Sequence, residues 1–200
     1  MGVGGDMDSS AARAGQQPAG SLDDEAALVA AARDDPAAFA ELYRRELPRI
    51  YRYLRARTGS AAEAEDLSQQ VFLKALQALP RYQQRGLPLA AWLCRIARNL
   101  AHDAVRQSRQ VVAFSWDQLP EARQGGAEAG PESIVLRRES LERLGALVAE
   151  LDDDKRDLLA LRVAAGLSIR EIAAAAGKSE AAVRKQLERT LKRLKEQYDG

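Results

Sequence analysis

The sequence predicts an all-α protein of two small helical domains joined by a flexible linker. Apolar residues recur at spacings of three and four over residues 21–110 and again over 133–200, which is the period of an amphipathic helix. Residues 111–132 between these blocks are rich in Gly and Pro, a linker composition. Residues 1–20, rich in Gly, Ala, Ser and Gln, are predicted to form a disordered tail. No alternating run is long enough to support a sheet.

Composition excludes several classes of protein. The 200 residues are 30% charged, yet the formal net charge is only +1, so a nucleic-acid-binding surface requires local segregation of charge. No window approaches the roughly 18 apolar residues of a membrane span, and the N-terminus does not have the pattern of a signal peptide. A single cysteine, Cys94, fits a reducing cytoplasm, where we expect the protein to act. No metal-ligand spacing or phosphate-binding glycine loop occurs, so we expect no metal and no cofactor.

Capping and helix-breaking residues divide the first block into four predicted helices. Pro36 suits the first turn of the second helix, and Gly59 ends that helix. Ser60 caps a third helix, which ends at Pro80. The fourth helix is predicted over about residues 89–107.

The fourth predicted helix separates basic from apolar residues. At 100° per residue, Arg98, Asn99, His102 and Arg106 all lie within about 60° of Arg95, and the apolar side chains take the opposite face. Such a track of cations can follow a phosphate backbone while its polar groups reach bases. A solvated helix face is the alternative interpretation.

The second block carries the pattern of a helix-turn-helix. Ser168 and Glu171 have the spacing of a capping box, and Gly177 stands where the turn needs a positive φ. Ser179 then caps a second helix that runs from residue 180 to about 198.

This last helix is predicted to be the recognition helix. Residues 155–195 hold eleven Lys or Arg and four acidic residues, a local charge of +7. A plain helical hairpin with a solvated basic face is the alternative. The predicted apolar seam consists of Val183, Leu187, Leu191, Leu194 and Tyr198. The polar side chains off this seam that could contact DNA are Arg184, Lys185, Gln186, Glu188 and Arg189.

Three segments, in order, resemble the extracytoplasmic-function (ECF) sigma factors of the sigma-70 family of RNA polymerase sigma factors. EAEDLSQQVFLKAL at 63–76 resembles region 2.2, which docks on the β′ subunit of polymerase. WLCRIARNL at 92–100 resembles regions 2.3 and 2.4, which open and read the −10 element. Residues 151–194 resemble region 4, which reads the −35 element. The resemblance implies a region 2 helical bundle over 21–110 and a region 4 helix-turn-helix over 133–200.

The resemblance also implies partners and site residues. The partners are core RNA polymerase, through its β′ and β subunits, and promoter DNA; an anti-sigma factor is left open. The implied core-polymerase-binding residues are Asp66, Gln69, Gln70 and Phe72. The implied −10 DNA-binding residues are Gln83, Gln84, Arg95, Arg98, Asn99, His102 and Arg106. The implied −35 DNA-binding residues are Arg170, Lys178, Ser179, Arg184, Lys185, Glu188 and Arg189.

Two other classes were weighed against a sigma factor. Catalysis is not expected, because Cys94 and His102 lie on different faces of one helix and no third group accompanies them. A one-component helix-turn-helix transcription regulator is the alternative function, with the first domain sensing a ligand or dimerising. A polymerase-docking helix followed by a basic helix favours the sigma factor. In the loop before that basic helix, Tyr82 either faces DNA or packs against Trp92.

Overall fold

The protein is described by a computed structural model over residues 22–84, 86–108 and 131–199, and the regular structure within these ranges is entirely helical. This confirms the predicted all-α fold. A short 3-10 turn, Leu79–Arg81, follows the third helix. The helices are α1 Leu22–Ala31, α2 Pro36–Thr58, α3 Ala61–Ala78, α4 Leu89–Ser108, α5 Pro131–Ala149, α6 Asp153–Val163, α7 Ile169–Ala176 and α8 Glu180–Asp199.

Local side-chain chemistry determines where the first helices begin and end. The carboxylate of Asp35 accepts a 2.8 Å hydrogen bond from the backbone N–H of Ala37 at the start of α2. Gly59 ends α2 with a φ of 68°, a left-handed conformation that costs glycine little. Ser60 then accepts a hydrogen bond from the backbone N–H of Glu63 and caps α3. These boundaries are the ones that the sequence predicts.

The start of α5 differs from the sequence-based expectation. The predicted linker covers residues 111–132, but α5 already begins at Pro131, two residues before the predicted second domain. Proline suits the first turn of a helix, because it has no N–H to leave unpaired. The predicted tail at 1–20 and most of the predicted linker lie outside the described residues, so the proposed domain boundaries stay predictions.

Helices α1 to α4 form a first bundle around α2, which packs on both α3 and α4. Its centre is made of Ile50, Tyr53, Leu54, Val71 and Cys94, all with no exposed surface. Burial raises the pKa of the Cys94 thiol to about 12, which suppresses the reactive thiolate. Cys94 is therefore a packing residue of the core.

Helices α5 to α8 form a second bundle that contains the helix-turn-helix. Ser168 and Glu171 make both hydrogen bonds of a capping box, and Gly177 ends α7 with a φ of 66°. The predicted seam of α8 is wrong at Leu191, which is 49% exposed. Thr190 is buried instead, because it lies seven residues after Val183, close to two full turns.

The two bundles are in direct contact. Helix α4 packs on α7, and α2 packs on α6. Arg49 and Arg52 of α2 donate 3.0 Å hydrogen bonds to the carbonyl oxygens of Ala165 and Ala164, which follow α6. Buried residues of both bundles thus form one connected core. Among the helices of the described ranges, none has the length and hydrophobicity of a membrane span.

Candidate nucleic-acid and polymerase interfaces

The predicted basic face of α4 divides into two parts in the structure. Arg95, Asn99 and Arg106 are exposed to solvent. Arg98 and His102 are only partly exposed, because their side chains turn toward the second bundle. The exposed part is open to a nucleic acid, and the other part is occupied by protein.

Asp157 of α6 is the centre of the occupied part and has no exposed surface. The hydroxyl of Tyr53 donates a 2.6 Å hydrogen bond to its Oδ1, and Nε of Arg98 donates a 2.5 Å hydrogen bond to its Oδ2. Nε of Arg57 lies 3.6 Å from Oδ1, and Nε2 of His102 lies 3.7 Å from Oδ2. Every one of these partners belongs to the first bundle.

Asp153, one turn earlier on α6, extends the same contact. Its Oδ1 accepts a 2.6 Å hydrogen bond from Nη2 of Arg57, and its Oδ2 lies 3.1 Å from Nδ1 of His102. Arg57 is buried, so it depends on these carboxylates for charge compensation. We refer below to the inter-bundle cluster, which consists of Tyr53, Arg57, Arg98, His102, Asp153 and Asp157.

The pKa values within the cluster show that its charges stabilise one another. The hydrogen-bonding contact with Asp153, and then the nearby carboxylate of Asp157, raise the pKa of His102 from 6.5 to about 9, so the imidazole is cationic at neutral pH. Burial alone would raise the pKa of Asp157, but the nearby imidazole of His102 and the hydrogen bond from Tyr53 bring it below the ordinary value. The cluster therefore joins two carboxylates to three cations at neutral pH.

A pocket of ≈ 560 Å³ opens beside the exposed part of the α4 face. Tyr82 packs on Trp92 at its wall, with ring centroids 4.4 Å apart, and both rings also border the pocket. Ala174 of α7 also borders the pocket, so the second bundle forms part of its rim. The remaining lining residues are Ala78, Arg81, Gln83, Leu87, Pro88, Ala91 and Arg95.

The two predicted glutamines of the loop before α4 have different surroundings. Gln83 is exposed and lines the pocket. Gln84 donates a 2.9 Å hydrogen bond to Oε1 of Glu25, which also accepts a 2.7 Å hydrogen bond from the backbone N–H of Leu89. Glu25 thus fixes the loop and satisfies a free N–H at the start of α4. Sequence reasoning missed this buried carboxylate, which looks like an ordinary acid in the first turn of α1.

The outer face of α3 carries most of the predicted polymerase-binding residues. Asp66, Gln69 and Gln70 are exposed on it. Phe72 lies beneath this face, 4% exposed, and its ring packs on Tyr43 with centroids 4.6 Å apart. Phe72 therefore supports the face from the core without being open to a partner.

Sequence reasoning missed two leucines on the same face. Leu73 is 57% exposed, and it lies about 20° from Asp66 by helical angle, between Gln69 and Gln70. Leu76 is 47% exposed, about 80° from Asp66 on the same side as Gln69. Large apolar side chains that a fold leaves in water are typical of interaction surfaces. Helical periodicity could have identified Leu73, because its angle places it among the polar side chains of this face.

The recognition helix α8 presents a polar surface to solvent. Arg184, Lys185, Glu188 and Arg189 are all exposed on it. Ser179, also exposed, accepts a 3.2 Å hydrogen bond from the backbone N–H of Ala182 and caps the helix as predicted.

Two polar residues near the helix-turn-helix turn bond within their own bundle. Lys178 and Gln186 donate hydrogen bonds of 2.7 Å and 2.6 Å to Oδ2 of Asp154. Arg170 is exposed, and a side chain built on Gly86 would approach its Nη2 to 3.8 Å. Arg170 therefore lies beside the loop of the first bundle that precedes α4.

Comparison with known proteins identifies both bundles. The family model of Sigma-70 region 2 matches residues 42–111, and that of Sigma-70 region 4 matches residues 141–194. The chain is 38% identical over 177 residues to the ECF RNA polymerase sigma factor SigD of Mycobacterium tuberculosis, which covers 86% of this chain and 82% of SigD.

Two solved structures share the fold. One is CnrH in complex with the cytosolic domain of CnrY, at a TM-score of 0.65 and 24% identity, covering 88% of this chain and 97% of CnrH. The other is the sigma factor RpoE of Bartonella quintana in complex with the anti-sigma factor NepR, at a TM-score of 0.57 and 22% identity, covering 79% of this chain and 94% of RpoE. The chain belongs to the ECF RNA polymerase sigma factors of the sigma-70 family, and it directs core RNA polymerase to promoter DNA in transcription initiation.

Proposed function

We propose that this sigma factor binds polymerase and promoter DNA through three separate surfaces, on α3, α4 and α8. Each surface has its own chemistry, and each lies on a rigid helix of one of the two bundles. The protein is proposed to act in the cytoplasm, where polymerase and promoters are found, and to have no catalytic activity of its own.

The first proposed surface is the face of α3 that holds Asp66, Gln69, Gln70 and Leu73. It combines exposed leucine with polar side chains that can bond to another protein, the composition of an apolar centre with a polar rim. We assign it to the β′ subunit of core polymerase.

The second proposed surface is the exposed part of α4 together with the neighbouring pocket. The observation that carries this proposal is that Arg95 belongs both to the basic track and to the wall of the pocket. A strand that follows Arg95, Asn99 and Arg106 would therefore pass the Tyr82–Trp92 stack. Basic tracks next to aromatic walls are what single-strand binders use to hold unpaired bases. We assign this surface to the −10 element and to promoter opening.

The third proposed surface is α8, with Arg184 and Lys185 near its N-terminal end. The early residues of a recognition helix reach base edges in the major groove, so these two are the first candidates for reading the −35 element. An anti-sigma factor is a further proposed partner, by likeness to the RpoE–NepR complex. Co-purification from the native host would test for one.

Promoter opening is the step that tests this assignment most directly. We expect the double variant Asn99→Ala with Gln83→Ala to form holoenzyme and bind duplex promoter, yet fail to make the −10 region reactive to permanganate. Gln84 is left unchanged, because it fixes the loop through Glu25. A pre-melted bubble template should restore part of the transcription, since the opening energy is then already supplied.

The matched control is Asp103→Ala, which changes an exposed residue of the same helix at the edge of the basic stripe. It should open promoters like the parent protein. Normal permanganate reactivity in the Asn99 and Gln83 double variant would contradict the proposed role of the α4 face.

A further inference from the structure

The first helix holds the loop before α4 at two places. Nη2 of Arg33, two residues after the end of α1, donates a 2.8 Å hydrogen bond to the carbonyl oxygen of Tyr82. Glu25, within α1, accepts a 2.9 Å hydrogen bond from Nε2 of Gln84. Gln83, the exposed residue that the proposed function places at the −10 element, lies between these two tethered neighbours. The chain on both sides of Gln83 is thus held from α1.

The burial of Glu25 is explained by what it bonds to outside its own helix. Its side chain lies in a residue that is only 5% exposed, and a buried carboxylate needs hydrogen bonds to offset its lost hydration. One oxygen, Oε1, accepts both the bond from Gln84 and a 2.7 Å bond from the backbone N–H of Leu89. Helix α1 is itself anchored, because Val29 is buried in the core and α1 packs on α2.

Gln84 turns its polar atoms inward. Its Nε2 bonds to Glu25 and, over a longer 3.5 Å, to the carbonyl oxygen of Leu87. Its Oε1 is buried and has no hydrogen-bond partner within the described ranges. Gln83 lines the pocket and Gln84 does not. Gln84 therefore links the loop to α1, and the charged acceptor on Glu25 makes this the strong bond of the amide.

We propose that Glu25 is a positioning residue for −10 recognition: by holding Gln84 and the start of α4, it fixes Gln83 at the pocket and so sets the base preference of the loop. This inference rests on the proposed function of the α4 face and its pocket. A base edge is read only when the protein group meets it in hydrogen-bonding geometry, so the reading residue needs a fixed place.

The positioning role makes a prediction that separates base preference from affinity. Cations on a phosphate track supply affinity for any strand, whereas contacts to base edges supply preference. Glu25 is buried and acts through the loop, and the exposed cations of α4 do not depend on it. Its loss should therefore lower preference among bases and leave affinity for a uniform strand nearly unchanged.

The test uses holoenzyme assembled from the full chain and core polymerase, with core polymerase alone as the background. Bound strands are selected from single-stranded DNA that carries eight random positions between runs of thymidine, and they are sequenced. The parent should enrich particular bases, and Glu25→Ala should reduce that enrichment by roughly tenfold. Affinity for a fluorescein-labelled strand of twenty thymidines should change by less than about threefold.

Glu25→Gln is the conservative variant that separates hydrogen bonding from charge. Because one oxygen of Glu25 accepts both bonds, the single amide oxygen of glutamine can replace it. This variant should keep the base preference within about twofold of the parent, since both acceptor bonds remain. Asp23→Ala removes an exposed acid of the same helix and is the matched control, with no change expected. Equal losses of preference in Glu25→Gln and Glu25→Ala would overturn the inference, because they would reflect charge alone.

Gln84→Leu breaks the same link from the side of the loop. It leaves the bond between Glu25 and the backbone of Leu89 in place, so it also serves if Glu25→Ala does not fold, as judged by circular dichroism. It should lose base preference as Glu25→Ala does, and the double variant should lose no more than either single variant, since the two residues act as one unit. Additive losses, or an unchanged preference in the folded variants, would overturn the positioning role.

Gln83→Ala in the same selection distinguishes this failure from failure of the proposed function. Gln83 is exposed at the pocket, so its loss should remove the preference directly. If Gln83→Ala removes the preference and the Glu25 and Gln84 variants keep it, only the positioning role is wrong. If the parent shows no preference, or Gln83→Ala retains it, the loop does not read the −10 element and both proposals fail.

Discussion

Tyr53 and Asp157 lie 104 positions apart in the sequence, and the hydroxyl of Tyr53 donates a 2.6 Å hydrogen bond to the carboxylate of Asp157 where neither side chain reaches solvent. The bond joins α2, the central helix of the region 2 bundle, to α6 of the region 4 bundle. Because the bond is buried and its acceptor is charged, it contributes more free energy to the contact between the bundles than an exposed ion pair would.

Replacing Tyr53 with Phe should therefore destabilise the folded chain. The change removes one donor from a buried carboxylate and leaves the ring in place, so we expect a loss of about 2 kcal/mol in the free energy of unfolding. Urea denaturation followed by circular dichroism measures it. Tyr51→Phe on the same helix is the control and should change stability by less than about 0.5 kcal/mol. Equal effects of the two substitutions would mean that the hydrogen bond from the Tyr53 hydroxyl does not stabilise the fold.

His102 should titrate with a pKa near 9, and it should report whether its contacts with the second bundle are formed. A pKa raised from 6.5 to about 9 means that the protonated ring stabilises the contact fully below about pH 6.5. That contribution is lost as the pH rises through about 9. His102 is the only histidine in the chain, so proton NMR of the untagged protein follows its ring without ambiguity.

The carboxylate variants provide the control for this titration. Asp153→Asn should move the pKa of His102 down toward 6.5, since the hydrogen bond to Asp153 is the largest cause of the shift. Asp152→Asn, which contacts Lys155 and not the ring, should leave it near 9. A parent protein that titrates near 6.5 would rule out the described contacts of His102 in solution.

Leu73→Gln should weaken binding to core polymerase by roughly tenfold, as loss of an apolar anchor at the centre of an interface does. The free energy of unfolding should hardly change, because the side chain is already 57% exposed. Asp66→Arg should weaken the same binding by reversing a charge on this face. Asp34→Arg, at the exposed turn between α1 and α2, is the control for charge reversal. Fluorescence titration with labelled core polymerase gives the affinities, and normal binding by Leu73→Gln would exclude Leu73 from the interface.

Arg184→Ala should relax recognition at one position of the −35 element. A bidentate contact of arginine with guanine is worth about 1–3 kcal/mol of discrimination, whereas a lost phosphate contact weakens all sequences alike. Transcription from a library of −35 variants measures the difference. Arg193→Ala lies on the opposite side of α8 and should leave the preference unchanged. A uniform loss across the library would remove Arg184 from base reading.

Local chemistry explains the parts of the fold that the sequence predicts well. The caps at Ser60 and Ser168 and the turn at Gly177 depend on side chains only three or four residues away. Periodicity fails where two neighbouring residues could both be core, as with Thr190 and Leu191. Which of the two is buried depends on the angle at which α8 meets the helices around it, and a single helix does not reveal that angle.

The inter-bundle cluster was beyond prediction for a different reason. Asp153 lies in the first turn of α6, where an acid is expected on account of the helix dipole alone, and Asp157 one turn later looks like an ordinary surface acid in the sequence. Arg98 and His102 fit a basic stripe equally well whether they face DNA or a carboxylate. Only the packing of one bundle on the other distinguishes these surroundings, and it depends on contacts between residues about 60 to 100 positions apart.

The pairing of Arg98 with Asp157 has a consequence for copies of the protein that are not attached to polymerase. A bacterial chromosome offers on the order of a million or more non-specific sites. Each additional cation that contacts a phosphate raises the affinity of the protein for all of these sites. Because Arg98 and His102 are paired with carboxylates of α6, this form of the protein offers fewer unpaired cations to bulk DNA.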